Sequence, residues 1–144
     1  MARAIGINHV ALEVGDVDEA LAWYGHWLEF ELRGRRPTMA WIDLGDQFLA
    51  LSSGRRQGAD DGRHFGLVVD DKEAVRATLA AAGVDVASQG GLRFHDPWGN
   101  AIEIVDYRDV QFTKAPAILS ALAPGGLEKS PAAREELERK GLAG

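Results

Sequence analysis

Cysteine is absent from this chain of 144 residues. That one absence removes a disulfide framework, a thiolate nucleophile and any zinc site built on cysteine sulfur. Long apolar runs are missing too: none approaches the roughly 20 residues that a bilayer-spanning helix needs, so no membrane partner is expected. The opening Met-Ala-Arg-Ala-Ile-Gly passes directly into strand-like alternation without the apolar core of a signal peptide, and a cytoplasmic location is expected. Positive charge is also short. Sixteen Lys and Arg face 22 Asp and Glu, and the resulting net charge of -6 argues against nucleic acid or an anionic membrane surface as partner. The basic clusters, one between Arg33 and Arg36 and one at Arg55 and Arg56, are offset by nearby acids and read as solvated loops.

What remains, 46% hydrophobic and 26% charged residues, is the composition of an ordinary globular protein. The length fits one domain, or two small halves around one core. A repeat favours two halves. Residues 9–18 read HVALEVGDVD and residues 64–73 read HFGLVVDDKE. Each begins with His, alternates through apolar residues, and reaches an Asp seven positions on, at Asp16 and Asp71. A second echo follows in the same order: DLGDQFLAL at 43–51 and DPWGNAIEI at 96–104. The offset falls from 55 to 53 between the two echoes (64 − 9 against 96 − 43), as one shortened connection would produce.

Each half then predicts strand-helix-strand-strand-strand. In the first, Ile7–Val14 alternates as a half-buried strand and Asp16 caps a helix with Glu19 as capping-box partner. Ala20, Leu21, Tyr24 and Leu28 form its apolar stripe, its end is expected near Leu28–Phe30, and strands follow around Phe30–Arg33, Met39–Leu44 and Gln47–Ser52. In the second, His64–Val69 is the strand, Asp71 the cap, and Val75, Leu79 and Ala82 the stripe, with Gly83 as a left-handed terminator. Strands are expected at Val84–Ala87, Leu92–His95 and Ala101–Tyr107, the last two joined by the turn signal Asp96-Pro-Trp-Gly-Asn. Gly54 to Arg63 reads as the linker between halves. Past Tyr107 a short helix at Ala117–Leu122 and a charged one from Ser130-Pro131 to Gly141 form a tail suited to packing or a partner contact.

Strand parity converts the repeat into a candidate site. If Val10, Leu12 and Val14 meet the helices, then His9, Ala11 and Glu13 share the other face. By the same alternation His64 lies opposite Phe65, Leu67 and Val69, and Glu103 lies opposite Ile102 and Ile104. Glu103 interrupts an otherwise apolar strand, where an uncompensated buried carboxylate would cost several kcal/mol. Either that face is open to water or a cation meets it. Two imidazoles and one carboxylate, His9, His64 and Glu103, make a facial set for Fe, Mn, Ni, Co or Zn, with about three positions left for water or substrate. Glu13 is the first candidate for a base or orienting group, against a plain exposed strand acid. His95 is the second, against an edge or turn histidine. Trp41 and Phe48 are read as lining that face or as core, and Arg93 as a contact for an anionic substrate or as an exposed arginine.

The segments INHVALEVGDVDEALAWYGHWLEFEL, HFGLVVDD and FHDPWGNAIEIVDY resemble the vicinal oxygen chelate superfamily of glyoxalases, bleomycin-resistance proteins, fosfomycin-resistance enzymes and extradiol dioxygenases, over about residues 5–107. The resemblance implies an α+β fold of two βαβββ modules curled into a metal-holding cup. It divides the chain into a domain at 1–110, with modules at about 5–53 and 63–107, and a helical tail at 111–144. By position it assigns His9, His64 and Glu103 as ligands of a divalent ion. The fourth family position falls on Ala50, where glyoxalase I-like members carry a ligating Glu, so that reaction is not the one implied. The segment from Ala87 to Phe94 is short and lacks the Ser- and Lys-bearing loop of a fosfomycin site. His95 stands as a possible counterpart of the extra histidine of dioxygenases. The function implied is a metal-dependent enzyme acting on a small oxygenated molecule by bidentate chelation. The alternative is a metal-free small-molecule or antibiotic-binding protein of the bleomycin-resistance kind. The family also implies a homodimer; where such dimers exchange modules, His9 and the His64–Glu103 pair come from different chains.

Overall fold

The computed structural model of the chain describes residues 1, 4, 6–87 and 91–142. It divides into two compact units. The first comprises Met1–Asp60 together with Asp96–Asn100, and the second comprises Asp61–His95 and Ala101–Gly144.

In the first unit, β1 (His9–Val14) leads to α1 (Val17–Tyr24), and then to β2 (Leu32–Arg36), β3 (Met39–Asp43) and β4 (Phe48–Ser53). The sheet order is β1-β4-β3-β2, with β1 parallel to β4 and the other neighbours antiparallel. The alternation in the sequence is met: Leu12, Val14, Ala40, Ile42, Leu49 and Leu51 are buried on one face, with Val17, Ala20 and Tyr24 of α1. Asp16 caps α1 through its Oδ1, which accepts from the Asp18 and Glu19 amides at 2.9 and 3.0 Å. The helix ends at Tyr24 rather than near Leu28–Phe30. Beyond it His26 and Trp27 donate to carbonyls three residues back, so the last turn tightens to 3₁₀ form while Leu28 keeps its bond to Tyr24 O.

The second unit repeats the plan: β5 (Phe65–Val69), α2 (Lys72–Ala81), β6 (Leu92–His95) and β7 (Ala101–Asp106), in the order β5-β7-β6. Again the first strand runs parallel to the last. Leu67, Val69, Leu92, Phe94, Ile102 and Ile104 are buried with Val75 and Leu79 of α2. Asp71 caps α2 through Ala74 N at 2.9 Å, and Gly83 follows at φ +70°. The strand expected at Val84–Ala87 is not one. That segment keeps alternating burial but, among the described residues, makes one sheet-like bond, Ala87 N to Arg93 O at 2.9 Å. Alternation reports which side is buried, whereas a ladder needs consecutive partners, and β6 has only four residues to offer. Ser88–Gly90, which carry much of the segment contrasted above with a fosfomycin loop, lie outside the described residues.

After the 3₁₀ turn Tyr107–Asp109 come α3 (Pro116–Leu122) and α4 (Pro131–Arg139). Each has proline in its first turn, where no amide donor is missed. Ala133 and Leu137 of α4 are buried. Lys129 binds this tail down by donating to Tyr107 O at 3.0 Å and Val110 O at 3.1 Å, and burial lowers its pKa from the usual value. Among the described residues no helix is long and apolar enough to cross a membrane.

Candidate functional site

The Asp96-Pro-Trp-Gly-Asn turn is a densely bonded polar element of the first unit. Asp96, 4% exposed, accepts from Trp98 N, Asn100 N, Asn100 Nδ2 and the Tyr24 hydroxyl at 2.7 to 3.0 Å. Burial, with the Asp96 charge and hydrogen bond added, raises the Tyr24 pKa well above its ordinary value, so the phenol stays a donor. Asn100 Nδ2 also donates to Glu13 O of β1 at 3.0 Å, while Asn100 Oδ1 accepts from Arg55 at 2.5 Å. The reading of Arg55 as a solvated loop residue is therefore corrected. Its side chain is 3% exposed and also serves Gly58 O and the Asp60 carboxylate, because a linker with almost no apolar residues must satisfy its backbone by polar bonds. Gly99, at φ +92°, lies against Ala59, where a Cβ would fall 2.5 Å from Ala59 Cα. The most specific sequence motif is thus a structural clasp that holds the end of β1 and the start of the linker.

The chemistry-bearing side chains stand on the faces that the helices leave open. In the second unit the register pairs Gly66 and Arg93 with Glu103, and His95 with Ala101. Arg93, His95 and Glu103 therefore share the face opposite Leu92, Phe94, Ile102 and Ile104. His64 immediately precedes β5, and its Nδ1 lies 3.0 Å from Gly62 O. A carbonyl can only accept, so Nδ1 carries the proton and Nε2 presents a lone pair. That Nε2 lies 3.4 Å from Glu103 Oε2. One nitrogen of Arg93 bridges the two acceptors, at 2.9 Å from His64 Nε2 and 3.0 Å from Glu103 Oε2. Two ligand atoms bound to one ion at about 2.1 Å each would stand about 3.0–3.4 Å apart for bond angles of 90–109°. The His64–Glu103 pair has that bite, with a guanidinium N–H where the ion would be.

In the first unit His9 faces outward at the start of β1. Its Nδ1 lies 2.8 Å from Asn8 Oδ1, which leaves its Nε2 lone pair free as well, and its ring stacks on Phe48 at 4.7 Å and 5°. Glu13 shares this face but sits four residues along the strand, about 13 Å at the strand rise. The orienting partner of His9 is Asn8, which sequence reasoning missed. Ala50 pairs with Ala11 and Trp41 on the same face and brings no carboxylate. Among the described residues no three His, Asp or Glu side chains are gathered closely enough to hold one metal ion. His64 and Glu103 are brought together, and His9 belongs to the other unit.

The placement of Arg93 opposite Glu103, though not its bridge to His64, had a signal in the sequence. A five-residue turn at 96–100 closes on the pair His95 and Ala101, which sets Arg93 opposite Glu103. The cluster between Arg33 and Arg36 is β2, not a loop. A bulge between Leu32 and Gly34 sets Arg33 out of the alternation, so that its guanidinium lies 4.8 Å from the Phe48 ring centre.

The family model described as the Glyoxalase/Bleomycin resistance protein/Dioxygenase superfamily matches residues 6–104. Similar solved structures include a possible glyoxalase from Bacillus cereus, 24% identical with a TM-score of 0.59, covering 70% of this chain and 98% of that one. A lactoylglutathione lyase from Agrobacterium tumefaciens is 21% identical with a TM-score of 0.59, over 73% and 96% of the two chains. The fosfomycin resistance protein FosX from Listeria monocytogenes, complexed with Mn(II) and sulfate, is 13% identical with a TM-score of 0.61, over 71% and 92%. At these identities the likeness is one of fold. No curated protein matches the chain.

Proposed function

Because the chain belongs to the Glyoxalase/Bleomycin resistance protein/Dioxygenase superfamily, we propose that it is a metal-dependent enzyme acting on a small oxygenated molecule, with His64, Glu103 and His9 as ligands of a divalent ion. The observation that carries this is the His64 Nε2 to Glu103 Oε2 separation of 3.4 Å, with both lone pairs aimed at one position. The His64 tautomer supports it. Gly62 O takes the Nδ1 proton, the backbone partner that a metal-bound imidazole commonly uses to fix its ring. His9, tied through Nδ1 to Asn8, offers the same kind of nitrogen and supplies the third ligand. A homodimer with exchanged modules is the arrangement in which a second copy contributes it. The Mn(II) in the FosX structure of the same fold is in keeping with a divalent ion here, be it Fe, Mn, Ni, Co or Zn.

When bound, such an ion supplies Lewis acidity toward two neighbouring oxygens of the substrate. Glu103 would offset its charge, and the imidazoles of His64 and His9 would hold it as neutral ligands. Arg93, on the same face, would then be free of that position and would be the group to meet negative charge on the substrate. His95, which shares the open face with Arg93 and Glu103, and Glu13, which shares that of His9, are the groups available to carry a proton. The place is cytoplasmic.

Arg93 also favours a metal-free binding protein of the bleomycin-resistance kind, since its guanidinium already gives Glu103 a cation. Metal analysis separates the two. Chain purified without chelator, incubated with Mn, Fe, Ni, Co or Zn and then dialysed, should retain about one ion per chain. His64→Ala and Glu103→Gln should retain little. Absence of retained metal in the unaltered chain with all five ions would leave the metal-free alternative.

A further inference from the structure

Three arginines fall within the five residues of β2, an edge strand in a chain of net charge -6. Arg35 faces the helix side and is accounted for by Asp18, 2.5 Å away. Arg33 and Arg36 are not accounted for. Both are exposed, and among the described residues neither has a carboxylate at salt-bridge distance. Of the acids on their side of the sheet, Asp43 has its Oδ1 2.6 Å from Gly45 N, and Glu13 stands on β1, at the opposite edge from β2. Protection of an edge strand needs only charge. These two guanidiniums instead lie over rings, Arg33 at 4.8 Å from the centre of Phe48 and Arg36 at 5.7 Å from that of Trp41.

Between them is an open pocket of about 390 Å³ lined by Arg33, Gly34, Arg35, Arg36, Trp41 and Phe48. Gly34 sits directly opposite Trp41 in the register. A Cβ there would come 3.3 Å from Trp41 Cε3, so glycine at this position keeps a ring surface uncovered. The pocket therefore offers half-buried aromatic surface beside two cations whose in-plane N–H groups have no acid partner. A guanidinium stacked on a ring keeps that edge available for an oxyanion. Its volume falls in the range of small-molecule sites.

We propose that this pocket binds a small planar anion of the aryl carboxylate class, with its ring against Trp41 and its carboxylate between Arg33 and Arg36. Every residue involved lies within the first unit, and binding requires no metal. The proposal therefore stands or falls apart from the metal site, although His9, stacked on Phe48, borders the same pocket.

The test is calorimetric titration of the full chain with 2-naphthoate, after chelator treatment and again after incubation with Mn(II). 2-Naphthamide serves as the neutral analogue and acetate as the ringless one. Naphthoate should bind at least about tenfold more tightly than either analogue in both preparations, the equivalent of one charge-assisted hydrogen bond. Arg33→Gln/Arg36→Gln should lose about tenfold or more of that affinity, and the remainder should weaken less with added salt. Gly34→Val, which leaves every charge in place, should also weaken naphthoate. Circular dichroism checks that each variant is folded. Equal affinity for naphthoate and naphthamide, equal affinity for acetate, or an unchanged double variant would each overturn the proposal.

Discussion

Arg93→Gln offers a quantitative test of the bridge between His64 and Glu103. The guanidinium holds two contacts that an incoming ion must break, at 2.9 and 3.0 Å. Arg93 and Glu103 are 44% and 28% exposed, so their ion pair is screened and contributes only about 0.5–1 kcal/mol. The bond to the imidazole adds about 0.5–1 kcal/mol. Removing both competitors, with the positive charge, should tighten metal binding by about 1–2 kcal/mol, or about 5–30-fold. Titration with Mn(II) against a metal-responsive indicator, at one pH and fixed ionic strength, reads this directly. Arg93→Lys, which keeps the charge but not the planar fork, should fall between the two. A glutamine variant that binds Mn(II) no more tightly than the unaltered chain would refute the idea that Arg93 stands in for the ion.

Other predictions concern the clasp. Tyr24→Phe removes one of four donors to a buried carboxylate and should destabilise the chain by about 1.5–3 kcal/mol in urea unfolding at pH 7. Because the folded-state pKa of Tyr24 is raised, its contribution is fully present below about pH 10 and is lost as pH rises through the folded value, so the gap between the two proteins should narrow only above pH 10. Gly99→Ala places a Cβ against Ala59 at a left-handed φ and should cost about 2–5 kcal/mol from strain and overpacking, read as a lowered unfolding midpoint. Arg55→Met removes the guanidinium that Asp60 and Asn100 share, at a cost of about 3 kcal/mol, and should expose Arg56 to trypsin, which mass spectrometry of early digests would detect.

The open faces were legible because period-2 alternation is a local property. Leu12 and Val14 being apolar is enough to turn Glu13 outward, and Ile102 with Ile104 does the same for Glu103. The caps at Asp16 and Asp71 and the terminator Gly83 were legible for the same reason: each acts on amides within a few residues. Where the reading failed, the deciding partner was distant or the backbone departed from period. Val84 and Val86 alternate, yet a strand depends on what β6 can pair. Arg33 faces Phe48 because a bulge breaks the alternation. Arg55 is buried because Asn100, 45 residues on, completes its site.

The sequence by itself determined the repeated module, the helix caps, and which strand faces carry His9 and Glu103, since each follows from short-range geometry and the removal of apolar side chains from water. Tertiary structure alone decided that Arg93 occupies the position between His64 and Glu103, that Arg55 is an interior cation, and that Arg33 and Arg36 flank exposed ring surface. Those outcomes depend on register and on contacts between residues far apart in the chain. No local propensity encodes where a long, flexible guanidinium will find its partner.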